Sequence, residues 1–345
     1  MIADDDSQLF QADADVAAKA RRLAKKNLDF GDAFECSSQV NDVAVLGDYA
    51  YTAESAAVVR KNSQSEKIYK GHTAPVTCLK LVNLDNQLYI VTGSWDKKIR
   101  LINEKTGNHE RVYNDHSDFV KCMDIAYNKK LLASGSSDKT IVVRSLIDNS
   151  IVTTIKAHSR AVEALVIDPN EEFIFSASSD RTIKQWRLDT GEMVETFEGH
   201  VTSVYCLWFD NDYLYSGSAD NTIRQWDINA KKQTALFEHN DWVKSVIVIG
   251  QYLIGGSRDE NMYIWDINTE KQVGMIQGHH DQVQRIAQYN SMLISVSLDG
   301  TLRRWNLMDE INGGKKKMKK DKAPDVAMTA EEEKELEDLL NDFDE

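Results

Sequence analysis

Apolar and polar positions between residues 202 and 229 alternate in short bursts. TSVYCLWFD, DYLYSGSA and NTIRQWDIN are each rich in β-branched and aromatic residues and bounded by Asn, Asp, Ser or Gly. Such bursts predict short strands joined by tight turns. The pattern then repeats along the chain. VTGSWDKKIRLI, ASGSSDKTIVVR, SASSDRTIKQW, SGSADNTIRQW, GGSRDENMYIW and SVSLDGTLRRW are six versions of one text, the first beginning at Val91 and the last at Ser295. Histidines at 72, 116, 158, 200, 239 and 279 and aspartates at 96, 138, 180, 220, 259 and 299 keep the same beat of about forty residues. No part of the repeats has the period of a long amphipathic helix, and the whole chain holds three prolines. Four short strands per repeat at this period predict an all-β propeller.

A worn seventh copy precedes the six. YAYTAESAAVVRKN (49–62) aligns without gaps on YLYSGSADNTIRQW (213–226), which puts Thr52 at the Ser216 position, Ala56 at that of Asp220 and Asn62 at that of Trp226. DAFECSSQVNDVAV (32–45) matches ALFEHNDWVKSVIV (235–248) in the same way. The repeat region is therefore expected over 32–309, between an extension at 1–31 and a tail at 310–345.

The Gly-His pairs (71–72, 199–200, 278–279), the Trp-Asp pairs (226–227, 265–266) and the period resemble the WD40-repeat family of propellers. The resemblance covers about four-fifths of the chain and implies a seven-bladed WD40 β-propeller, closed by a blade shared between the two ends of the domain. The strand near 32–36 would pair onto the last blade. It also implies a buried hydrogen-bond chain from Trp to Ser to His to Asp in each blade. Complete sets would be His158, Ser176, Asp180 and Trp186; His200, Ser216, Asp220 and Trp226; and His279, Ser295, Asp299 and Trp305. The second repeat departs with Ile102 at the Trp position, the third with Arg144, and the sixth with Gly255 at the Ser position.

Ser, His and Asp together also compose a hydrolytic triad, and the repetition decides between the readings. A nucleophilic serine must face substrate beside oxyanion donors, and one enzyme needs one such site. A structural clasp is needed once per blade. The clasp is therefore the expectation, with no catalytic residue.

The resemblance places partner-binding residues on the narrower face, in the third and fifth positions after each His and in the position before each Asp. Among these, Trp95, Phe119, Lys121, Tyr205, Trp242, Lys244 and Arg258 stand out, because aromatics and arginine most often anchor protein interfaces. The alternative is that they only cover the turns of neighbouring blades.

Composition narrows the partners. Hydrophobic residues at 42% suffice for a packed core. No apolar run approaches the ~20 residues of a membrane span, and MIADDDSQLF lacks the basic and apolar regions of a secretory signal. The net charge of −14 is uneven: residues 31–314 carry −9, KKKMKKDK (315–322) +5, and residues 323–345 −9. An acidic body is not expected to attract nucleic acid directly. Cys78, Cys122 and Cys206 each follow a repeat histidine by six residues, which keeps them apart and argues against disulfides and metal pairs. No cofactor is expected.

The ends offer other readings. Residues 7–27 have acids early and bases late, as suits a helix. The segment from Thr329 begins with a capping-box pattern and continues with Leu336, Leu339, Leu340 and Phe343 along one face, a ligand for a groove on a basic partner or a solvated tail without fixed structure. The lysine run is either a nuclear localisation signal or a plain linker, so cytoplasm and nucleus both remain expectations.

These observations favour a non-catalytic adaptor in a multiprotein complex that takes protein or peptide partners. A substrate receptor of a ubiquitin ligase is the alternative, although the Trp-Asp-x-Arg of one receptor class is missing (WDIN twice, WRLD, WNLM). A ribonucleoprotein or ribosome-assembly subunit using the lysine run is another.

Overall fold

Turn residues cut the chain into strands too short to be stable alone, so each strand depends on its neighbours. The computed structural model describes residues 31–312 apart from 63 and 291; the expected helices at 7–27 and 329–343 and the lysine run lie outside the described residues. Among them are 28 strands and one short helix, arranged as seven four-stranded antiparallel sheets. Successive sheets are the blades of a propeller.

The first blade comprises β2 (Val40–Leu46), β3 (Tyr49–Glu54), β4 (Ala57–Lys61) and β5 (Glu66–Lys70). The seventh is assembled from both ends of the domain. Val283–Tyr289, Met292–Ser297 and Thr301–Asn306 supply three strands, and β1 (Asp32–Glu35) adds the outermost, pairing Glu35 with Thr301 and Asp32 with Arg304. A short helix, Leu307–Ile311, follows; its Leu307 is buried and its Ile311 packs on the core beside Trp305, so packed structure runs on past residue 309.

The hydrophobic core lies between the sheets. One cluster joins Cys122, Ile141 and Val143 of the third blade to Val162, Leu165 and Trp186 of the fourth. Another joins Phe175 and Ala177 of the fourth to Val204, Leu207 and Trp226 of the fifth. Close approach of the blades leaves no room for a side chain at some positions. A Cβ on Gly217 would lie 2.5 Å from Cys206 Sγ and 2.6 Å from Val243 of the next blade.

Each blade also carries a β-bulge at the top of its innermost strand. The register slips between Val120 and Cys122, Val204 and Cys206, and Val243 and Ser245, among others. A bulge leaves one residue unpaired and re-aims its side chain. Here those residues are Lys121, Tyr205 and Lys244.

One expected alignment needs correction. β3 and β4 pair Ala50 with Lys61 and Ala53 with Val58, whereas in the fifth blade Leu214 pairs with Trp226 and Gly217 with Ile223. The first blade's turn is thus one residue shorter. Lys61, not Asn62, occupies the Trp position, and no residue of this turn corresponds to the aspartate.

Candidate functional site

Beneath the turns, side chains from three parts of a blade meet. In the fourth, fifth and seventh blades Trp Nε1 donates to Ser Oγ at 2.8 Å: Trp186 to Ser176, Trp226 to Ser216, Trp305 to Ser295. Each serine lies 2.7 Å from Nε2 of His158, His200 or His279. Nδ1 of each histidine donates to Asp180, Asp220 or Asp299 at 2.8–3.0 Å. The serines are wholly buried. Burial opposes ionisation of the aspartates, but hydrogen bonds from the histidine, the turn threonine and backbone amides outweigh it. Their carboxyls are held well below the usual range.

The incomplete sets show what happens without one member. In the second and third blades the His–Asp and His–hydroxyl links persist, as His72 to Asp96 and Thr92 and as His116 to Asp138 and Ser134. Ile102 packs in the core instead of donating. Arg144 turns to Asp115 with two hydrogen bonds, 2.8 and 2.6 Å long, and lies 4.6 Å from the Tyr113 ring. In the sixth blade the link is broken. A Cβ at Gly255 would fall 2.2 Å from His239 Nε2, so the ring fills the missing serine's space. Neither ring nitrogen finds a hydrogen-bond partner, nor does Trp265 Nε1. Burial pushes His239 down to about 4, and Tyr263 donates to Asp259 in its place.

The first blade uses different chemistry, which the repeat pattern concealed. Glu54, only 2% exposed, accepts from Thr52 Oγ1 at 2.5 Å, from Lys61 Nζ at 2.7 Å, and from the backbone and hydroxyl of Ser37. A Glu ending β3 and a Lys ending β4, both in strands with few charged residues, were the available signal. The ion pairs Asp42–Arg285 and Lys80–Asp124, both 2.8 Å and each joining adjacent blades, were also missed.

Above the clasps, the residue before each Asp donates its amide to the carbonyl of the residue three after each His. Trp95 bonds Pro75, Ser137 bonds Phe119, Ala219 bonds Ser203 and Arg258 bonds Trp242. The slots named from sequence therefore adjoin in pairs. Trp95 and Phe119, 43% and 40% exposed, stack at 5.6 Å. Tyr205 and Trp242 pack at 5.9 Å. Lys244 Nζ lies 3.6 Å from the centre of the Tyr205 ring, and the Arg258 guanidinium 4.1 Å from that of Trp242. Asp241 holds Arg258 at 2.9 Å, and Glu163 holds Lys121 at 3.3 Å. The structure thus gathers six of the seven residues into two aromatic clusters, the second flanked by Lys244 and Arg258, while Lys121 pairs with Glu163 apart from both. Both clusters bridge adjacent blades and both keep surface open to solvent.

A closed ring of blades, each clasped from within, with loops and bulged residues at one rim, defines a repeat β-propeller; such propellers generally serve as non-catalytic platforms for protein partners. The chain belongs to the WD40-repeat family. The family model "WD domain, G-beta repeat" matches residues 63–103, 107–145, 149–187, 191–227 and 270–306. It passes over the three inner strands of the first and of the sixth blade, the two in which the His–Ser link is lost, together with β1 and the outer strand Lys232–Glu238 of the fifth. The chain is 34% identical over 292 residues to an uncharacterized WD repeat-containing protein of Schizosaccharomyces pombe, covering 80% of this chain and 79% of that one. It is 26% identical over 107 residues to the BEACH domain-containing protein lvsE of Dictyostelium discoideum, covering 30% of this chain and 5% of that one. Among the described residues, no helix is long and apolar enough to cross a membrane, and no cluster of three or more His, Cys, Asp or Glu is placed to hold a metal.

Proposed function

We propose that the protein is a non-catalytic adaptor subunit of a multiprotein complex, and that a protein or peptide partner docks on the rim formed by Trp95, Phe119, Lys121, Tyr205, Trp242, Lys244 and Arg258. The observation that carries this reading is the exposed pair Trp95–Phe119. A large apolar surface left open at a turn costs solubility, and a partner that covers it recovers about 25 cal/mol per Å² of apolar area. The second cluster complements it: Lys244 and Arg258 lie against aromatic faces, so an incoming carboxylate meets cations whose positions are already fixed. The reading of the clasps as structural rests on burial. A serine sealed at 0% exposure does not reach a substrate carbonyl, while each of its polar partners needs it.

The test is affinity purification of the full chain beside Phe119→Ala/Trp242→Ala/Arg258→Ala, with circular dichroism to establish that both are folded. The variant is expected to lose its partner set by at least tenfold. A folded variant that retained every partner would overturn the assignment of the face.

A further inference from the structure

Polar contacts to sulfur in this protein have a common length. Cys36 Sγ lies 3.9 Å from the Phe34 carbonyl, Cys78 Sγ 3.8 Å from Thr77 Oγ1, Cys122 Sγ 3.9 Å from the Val162 carbonyl and Cys206 Sγ 4.0 Å from that of Val243. Lys61 Nζ lies 2.7 Å from Cys36 Sγ. Sulfur is larger than oxygen, so this length suits an N–H···O bond rather than an N–H···S contact. It does suit two atoms held by single bonds to one small atom between them.

We propose that Cys36 and Lys61 form an oxidation site, in which one oxygen atom inserted between Sγ and Nζ joins them as a covalent N–O–S bridge. Dioxygen is the oxidant: Cys–SH + Lys–NH2 + O2 gives Cys–S–O–NH–Lys + H2O. An S–O and an N–O bond form, while the S–H bond, one N–H bond and the O–O bond break. Sulfur and nitrogen each lose two electrons, and the two oxygen atoms take up all four. Two equivalents of a dithiol restore thiol, amine and water.

The surroundings supply what the step needs. Lys61 is an ammonium at rest: burial opposes its charge, but its hydrogen bonds to Cys36 and Glu54 outweigh burial and hold it up. It must shed a proton against that ion pair, along the 2.7 Å hydrogen bond to Glu54. Burial pushes the Cys36 thiol up to about 11, so a free thiolate is scarce and the reaction depends on this relay. Cys36 is half-buried, unlike the other three cysteines. A cleft of about 320 Å³, lined by Phe34, Val45, Tyr49, Lys61, Tyr289 and Arg304, has room for a small oxidant beside the lysine, and Cys36 lines a second cleft. Cys36 directly follows β1, which belongs to the last blade, while Lys61 ends β4 in the first. The bridge would pin the closing strand across the seam of the ring.

The test is intact-mass and peptide mass spectrometry of the full chain kept in air. The bridge adds one oxygen and removes two hydrogens, a gain of about 14 Da, and thiol oxidation alone adds about 16 Da per oxygen. The expected result is the smaller gain, located on a cross-link between residues 36 and 61, reversed by dithiothreitol and absent from Cys36→Ser and Lys61→Arg. Arginine keeps the cation that Glu54 requires, so loss of the signal there does not reflect loss of the fold. An unmodified pair, sulfenic or sulfinic acid on Cys36 alone, or the same gain in Lys61→Arg would overturn the proposal.

Discussion

Ser216 takes a hydrogen bond from Trp226 and pairs with His200, so removing its one oxygen strands two buried nitrogens. Each orphaned group costs about 1–3 kcal/mol. Ser216→Ala should therefore destabilise the domain by about 2 kcal/mol or more in urea unfolding. The sixth blade has already lost this oxygen, and its histidine gives the contrasting case. His239 titrates near 4 when folded and near its ordinary 6.5 when unfolded. Between those values the unfolded chain binds the extra proton, so stability falls as pH drops from 6.5 to 4, by about 3 kcal/mol in all. His239→Phe should flatten that segment of the stability profile and leave stability at pH 8 little changed. The aspartates act lower on the scale: their folded values lie below the unfolded 3.8. Their contribution is complete at neutral pH and is lost only as pH falls below about 4.

Strand identity and strand partners differ in how far they could be read from the chain. Alternating bursts marked the strands, and six repeated Asp turns marked the blades, because each turn needs the same side chain to accept from the same amides. The clasp partners were legible for the same reason. What escaped was local. The shortened turn between β3 and β4 moves Lys61 into the Trp position by deleting one residue, and a gapless alignment cannot register that. Cys36, just after β1 of the last blade, and Lys61, ending β4 of the first, are linked by no periodicity. The bulges that carry Lys121, Tyr205 and Lys244 depend on pairing geometry rather than on residue type. β1 was readable as a strand, and it covers the seam with only four residues. Its loss would leave Thr301–Asn306 as an open edge and remove the Phe34 ring from Arg304. Deleting residues 31–37 should lower the thermal midpoint by about 10 °C; an unchanged midpoint would show that β1 does not close the ring.

At the scale of the whole propeller, the clasps and the proposed partner surface occupy different layers. The clasps and inter-sheet clusters are buried, while the aromatic clusters sit on the rim, so partner surfaces can vary without disturbing the core. The same separation explains why the fold was legible and the partner is not: every blade repeats its clasp, but each rim cluster occurs once. The ring also has a history set by synthesis. Glu35 pairs with Thr301, which is joined to the growing chain 266 residues later. At ~5–20 residues per second, β1 waits roughly fifteen seconds to a minute for its partner. Throughout that interval β1 is an unmatched edge, and the last blade is incomplete. A ribosome-bound chain stopped at residue 300 should therefore be digested readily by a protease that spares one extended through residue 312 and clear of the exit tunnel. The translation time of the intervening blades is thus a window of vulnerability, and its length is fixed by where the ring was cut.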